Sequence, residues 1–540
     1  MKYEELNKVL YENFGASSKS AYNILQLAVD QDIQSIHKLV DESGHSFRFV
    51  REIIYTLDND ITLMNDHLVI SKDLKLLLKN RRIGVELESN STQGFINIVK
   101  SIVENFTQDD ADLDHISAVP ETCYDRATFL MDNFDIEVCN ILFVGDHDLS
   151  SITLALLAQH YKLNYNIFVV DIDDNVLSYI QEISNEYGLS IVTSHSDFRY
   201  SIPKIYHGKM DVVFTDPPYT PEGISVFINR SLQCMKNNSF STLIISYKAA
   251  EMSNMLGVYV QKEIIKRSLY ISQIIPNFNR YYAAEALGYR SDLYLCRLTP
   301  ATFKYLKNPT YPNKIYTHGT NSVESKSKDI ELSDLLDSID KVTNKKLTED
   351  PIYIIESDRG TNYTGNLKIN KMPLRRFIDN TIEGKLNVNK DGLIVFDCAG
   401  FSRSYQFRPL LLCGFNEYFC VFTKEQAKAL AQNKIVDFIR SGYNIEKITN
   451  DTEVNIFHFK QKPKITNNNC KLFLLMLLNV RSGLKNSFVK AITTTFDKTK
   501  NEARELFDSL PFKNEQKILL FNLPLHSIVR LSKVLKALHI

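Results

Sequence analysis

Residues 86–300 of this 540-residue chain predict an α/β fold, a doubly wound sheet of seven strands. Three observations carry that expectation. Short apolar runs alternate with helical patterns, as strand–helix–strand units with right-handed crossovers do. The run Asp211-Val-Val-Phe-Thr215 is apolar enough to be a strand buried between two layers. The early runs stop at glycine, proline or aspartate, so their ends gather at one edge, where open α/β sheets bind ligands.

Strands are expected at Asn140–Val144, Ile167–Val170, Ile191–Thr193, Asp211–Thr215, Thr242–Tyr247, Ile271–Ile275 and Asp292–Leu298. Helical patterns follow the early ones, at Leu149–Gln159, Asn175–Glu186 and Gly223–Met235. Seven strands in this order fit the Rossmann-like fold of class I methyltransferases.

Residues 1–85 form a separate unit, with helices at Ser18–Ala28, Ile33–Val40 and His45–Leu57. Ile61 to Ile70 then alternates across a polar turn like a two-stranded wing. Helices followed by such a hairpin read as a winged helix. Arg48 and Arg51 could meet DNA, but with so few basic residues on the third helix a docking role is preferred.

Beyond 300 the pattern weakens. Residues 301–350 read as a linker with a short helix, 351–465 as an α+β domain of unknown role, and 466–540 as a helical C-terminal region. Gly360 and Gly365 flank a turn, and Asp397 to Ser404 form a loop; a structural role is preferred for each.

Composition excludes several classes. Sixty-three basic against 64 acidic residues lack the excess of a dedicated nucleic-acid binder, so nucleic acid is not an expected partner. With no apolar run of membrane-spanning length and no signal-like start, a cytoplasmic protein that meets no membrane is expected. Eight scattered cysteines without a Cys-x-x-Cys pair read as buried hydrophobes in a reducing compartment, and no metal is expected.

The strand ends carry the chemistry. Asp216-Pro-Pro-Tyr219 stops a strand, because neither proline can donate to a ladder. Enzymes that alkylate amino nitrogens hold their nucleophile with an acidic or amide residue, Pro-Pro and an aromatic; a surface turn is the plainer alternative. Gly145 permits a tight turn beneath an adenosyl group, and Asp146 and Asp148 crowd acid at that tip. Such a tip repels phosphate, and the second and third glycines of a dinucleotide fingerprint are missing. Asp171 is placed to accept both ribose hydroxyls, Asp173 less well, and Asp197 could accept the adenine amino group. Each aspartate alone could instead cap a helix; four acidic strand ends in register favour a cationic nucleoside.

The combination Pro120-Glu-Thr with Arg126-Ala, Gly145-Asp-His-Asp-Leu149, Val170-Asp-Ile-Asp173 and Phe214 to Thr220 resembles the branched-chain polyamine synthases. Phe278-Asn-Arg-Tyr281 and Ser291-Asp-Leu-Tyr294 add to it, and the resemblance covers roughly residues 1–300. It implies a winged helix before a methyltransferase-like domain. It also implies transfer of aminopropyl groups from decarboxylated S-adenosylmethionine to the secondary amine of spermidine, releasing 5′-methylthioadenosine. On this resemblance Asp148 is the base, Asp216 and the Pro217 carbonyl orient the nitrogen, and Tyr219 packs on the polyamine. Glu121 joins the acceptor side, and a homodimer is an expectation. One departure stands out: His147 replaces the middle acid of the family's Gly-Asp-Asp-Asp signature, weakening the pull on a polycation.

Two other readings remain open at this point. One is an S-adenosylmethionine-dependent methyltransferase of nucleic-acid amino groups. The other is a non-catalytic regulator sensing polyamine.

Overall fold

A computed structural model describes residues 2–80, 89–106, 117–248, 254–282, 290–307, 309, 351–356, 369–388, 393–401, 405–448, 454–462 and 468–538. The expected linker falls almost wholly outside these residues, as do Gly360, Gly365 and the end of the 397–404 loop.

Four helices open the chain: α1 (Tyr3–Phe14), α2 (Ser18–Asp30), α3 (Ile36–Ser43) and α4 (Phe47–Thr56). Ser35 and Ser46 start the last two by accepting the Lys38 and Phe49 N–H groups. An antiparallel hairpin follows, β1 (Ile61–Met64) and β2 (His67–Ile70), then α5 (Lys72–Asn80). The unit has its own core around Leu10, Leu25, Ile53 and Leu78. Arg51 is engaged within its own helix, 5.9 and 5.8 Å from the Phe47 and Tyr55 ring centres.

After α6 (Ser89–Phe106) and α7 (Pro120–Asn133) comes the large sheet. Its strands are β3 (Asn140–Val144), β4 (Asn166–Asp171), β5 (Ile191–His195), β6 (Val212–Thr215), β7 (Thr242–Tyr247), β8 (Tyr270–Arg280) and β9 (Arg290–Arg297). They lie in the order β5-β4-β3-β6-β7-β9-β8. Strands β5, β4, β3, β6 and β7 are parallel, while β9 runs antiparallel between β7 and β8. This is the class I methyltransferase topology expected from the sequence, with one strand reversed. Strand β9 lies directly beside β8, and neighbours in chain order that pair directly run antiparallel.

Helices α8 (Ser150–His160), α9 (Asp174–Tyr187) and α10 (Pro221–Cys234) cross over between the parallel strands. From Ser150 to Ala158 every residue of α8 is buried, which explains its apolar character all round. Pro221 at its first turn and the Thr220 hydroxyl, accepting Gly223 N–H at 2.9 Å, fix where α10 begins after the Pro-Pro stop.

The C-terminal region builds a second sheet of six strands, including β10 (Ile352–Glu356), β11 (Ile369–Pro373), β12 (Leu393–Asp397) and β13 (Glu417–Thr423). These four are parallel to one another, and β14 (Tyr443–Lys447) and β15 (Val454–Gln461) complete the sheet antiparallel. One hydrophobic core, from Phe377 and Phe422 to Phe488 and Leu531, runs through both sheet and terminal helices and reaches Tyr200, which follows β5 of the first large sheet. All eight cysteines are free, seven of them buried. Among the described residues no helix is long and apolar enough to cross a membrane.

Candidate active site

The parallel topology brings the carboxyl ends of β3, β4, β5 and β6 to one edge. There Gly145 turns with φ of 76°, and a Cβ added to it would meet the Phe227 ring at 3.3 Å. A left-handed turn with no room for a side chain is a reason for glycine.

Arg126, 1% exposed on α7, is the hub of this edge. One terminal nitrogen meets Asp148 at 2.6 Å and Ser150 at 3.2 Å; the other meets Asp216 at 2.7 Å and the Tyr281 hydroxyl at 3.1 Å. Its Nε donates to Asn279 at 2.7 Å, and the guanidinium lies 5.1 Å from the Phe214 ring centre. Asn279 in turn holds Ser246 and Ser291. A buried guanidinium is tolerated because its donors meet acceptors, two of them anionic.

Asp148 and Asp216 differ sharply in this setting. Both Asp148 oxygens are engaged, one by Arg126 and the other by the Ala118 N–H at 2.7 Å. Asp216 keeps its side chain 18% exposed. Its Oδ2 accepts from Arg126 and from the Tyr281 hydroxyl at 2.6 Å, and its Oδ1 accepts a longer 3.2 Å bond from the Tyr219 hydroxyl. Burial pushes the Asp216 carboxyl up to about 6, against the pull of Arg126. Tyr219 packs edge-on against Tyr247, ring centres 5.4 Å apart. Pro217 is buried beside it.

At the end of β4, Asp171 is 2% exposed and accepts the N–H groups of Asp146 and Asp173, each at 2.9 Å. Burial raises its carboxyl. Asp146 accepts the Ser150 and Ser151 N–H groups at the start of α8, and burial pushes it to about 8. Asp173 caps α9 by accepting Asn175 N–H at 2.8 Å, and burial raises it to about 6. For Asp146 and Asp173 the helix-capping alternative therefore describes bonds that exist; these bonds leave a ligand role open.

Two further candidates differ from expectation. Asp197 is fully buried and bound through both oxygens by Arg199, so its carboxylate is occupied where an adenine amino group was expected. Glu121 is exposed on the first turn of α7, outside the Arg126 network. His147 lies between the Ser117 hydroxyl, 3.3 Å from its Nε2, and the Phe106 ring at 5.7 Å. Among the described residues no cluster of three or more His, Cys, Asp or Glu is arranged to hold a metal.

Arg126 and Tyr281 stood in the motifs of the sequence without a role. Nothing local marks either: Arg126 meets Asp216 across 90 residues and Tyr281 meets it across 65.

This sheet, its acidic strand ends and the Asp-Pro-Pro-Tyr turn define a methyltransferase-like domain. Residues 94–332 match the family described as the branched-chain polyamine synthase A C-terminal domain. Over that region the chain is similar to the branched-chain polyamine synthases. An uncharacterized protein of Methanocaldococcus jannaschii is 34% identical over 208 residues, 38% of this chain. The chain spans 50% of that relative's length. The N(4)-bis(aminopropyl)spermidine synthase of the same organism is 25% identical over 304 residues, 53% of this chain and 83% of its own. A mutein of the Thermus thermophilus branched-chain polyamine synthase, solved with N4-aminopropylspermidine and 5′-methylthioadenosine, is 17% identical with a TM-score of 0.35, over 55% of this chain and 93% of its own.

Proposed function

We propose that this domain transfers aminopropyl groups from decarboxylated S-adenosylmethionine to an amine of a polyamine such as spermidine. The observation that carries the reading is Asp216: a partly exposed carboxylate beside the Pro-Pro turn, pushed to about 6 and flanked by two tyrosine hydroxyls. The similarity to the N(4)-bis(aminopropyl)spermidine synthase of Methanocaldococcus jannaschii and the family match support the same chemistry.

The acceptor nitrogen attacks the methylene attached to the sulfonium. A C–N bond forms, the C–S bond breaks, and its electron pair stays on sulfur as neutral 5′-methylthioadenosine. The nitrogen's proton goes to Asp216, whose raised pKa makes it a better acceptor than an ordinary carboxylate. Asp148, with both oxygens engaged, is assigned to hold Arg126, so the base role that the resemblance gave it passes to Asp216. Tyr219 and the Pro217 carbonyl border the nitrogen, with the ring offering its face to methylenes or a cation. Asp171 and Asp173 flank the ribose, with Gly145 and Asp146 beneath the nucleoside. Glu121 and Asp197 stand outside this assignment. Alignment of nitrogen, carbon and sulfur supplies a large part of the rate.

The test is direct. The protein, incubated with decarboxylated S-adenosylmethionine and spermidine, should release 5′-methylthioadenosine and a heavier amine by mass spectrometry. No release across diamines, spermidine and spermine, or methyl transfer from S-adenosylmethionine instead, would overturn the assignment.

A further inference from the structure

The contacts between the C-terminal region and the catalytic domain gather on one side of the crevice. Arg408, 1% exposed, donates to both oxygens of Asp174 at 3.2 and 2.9 Å and also to the Phe521 and Leu523 carbonyls. The Leu525 N–H reaches the same carboxylate at 2.7 Å. Asn522 donates to the His195 carbonyl at 3.1 Å, and the Tyr405 ring stacks on both His195 and Tyr200. Arg375 donates twice to the Arg199 carbonyl, and Glu383 pairs with Lys204 at 2.7 Å.

These anchor points, Asp174, His195, Arg199, Tyr200 and Lys204, follow the carboxyl ends of β4 and β5. Asp174 is one residue after Asp173 and three after Asp171, and the Ser196 N–H bonds the Asp171 carbonyl at 2.9 Å. None of the contacts named here lands on Asp148, Asp216, Tyr219 or Tyr281. Partly exposed but charge-paired to a buried arginine, Asp174 is held in one geometry and cannot relax without breaking the pair.

We infer that the C-terminal region is a positioning element for the nucleoside, with Arg408 fixing through Asp174 the β4 end that receives the ribose. The inference rests on the ribose lying at the end of β4, as the proposed function has it. Arg408 touches no substrate in this scheme; it acts through Asp174.

Calorimetry with 5′-methylthioadenosine and steady-state kinetics test it on the full chain. Arg408→Gln should weaken 5′-methylthioadenosine binding and raise the KM for decarboxylated S-adenosylmethionine about tenfold, within the usual range for coupled elements. The acceptor KM should stay within about twofold, and Arg408→Lys should recover part of the loss. Asn522→Ala, which removes a single bond, should shift binding the same way by a smaller factor and serves if Arg408→Gln fails to fold. Unchanged nucleoside binding in the folded variants, or equal losses in both substrates' KM, would overturn the inference while leaving the proposed function standing. Failure of the unaltered protein to bind 5′-methylthioadenosine would overturn both.

Discussion

Replacing Asp216 with asparagine separates catalysis from stability. Its carboxyl stands at about 6 against an ordinary 3.8, chiefly through burial. A gap of roughly two units corresponds to about 3 kcal/mol of preference for the protonated form. Because the folded value is the higher one, the stabilising contribution is full below 3.8 and is lost as pH rises through about 6. At pH 8 the folded protein therefore carries the cost of an ionised, largely buried carboxylate. Asparagine removes that cost but also the charge opposite Arg126, which keeps Asp148 as its partner. The two effects oppose each other, so the unfolding free energy from urea titration at pH 8 should change by no more than about 1–3 kcal/mol. Turnover should fall by about 10²–10⁴, the usual worth of a positioned acid–base group, or about 3–5 kcal/mol of barrier. The assay is 5′-methylthioadenosine release across pH 5–9. The unaltered enzyme should lose kcat/KM on the acid side with an inflection near 6, and the variant should lack that limb. A variant keeping kcat within about fivefold, or the same acid limb, would refute the assignment.

The other predictions follow from the same geometry. Tyr281→Phe removes a hydroxyl that lowers the Asp216 pKa, so the acid limb of the pH profile should move to higher pH. Arg126→Met leaves Asp148 and Asp216 close together without their shared cation and should destabilise the fold by about 3–5 kcal/mol in urea titration. Gly145→Ala forces a side chain into a left-handed turn 3.3 Å from Phe227; about 1–2 kcal/mol of stability and much of the nucleoside affinity should go. Asp197→Asn should lower the melting temperature, since Arg199 loses its charged partner, and a selective effect on adenine affinity alone would restore the reading made from sequence.

How much was legible in advance depended on the range of the interaction. Strands β3 and β7 fall at the residues expected, because a buried strand must be apolar and must stop at glycine or a polar turn. The extent of β8 was missed: it runs to Arg280 rather than Ile275, with register shifts that break the alternation a reader would follow. The acidic strand ends were visible as types and positions. Their states were not, since Asp146, Asp197 and Asp216 look alike in a string of letters. One meets backbone N–H groups, one an arginine two residues away, one a guanidinium from a distant helix.

Local covalent and burial rules thus let the chain itself determine the sheet, the Pro-Pro stop and the gathering of aspartates at one edge. Only the tertiary structure decided which of those aspartates meet arginines and helix ends and which keeps its side chain partly exposed, and that described residues of the C-terminal region pack against the end of β5. The physical reason is that protonation and pairing depend on desolvation and on charges brought near by packing, and neither distance nor dielectric is written in sequence order.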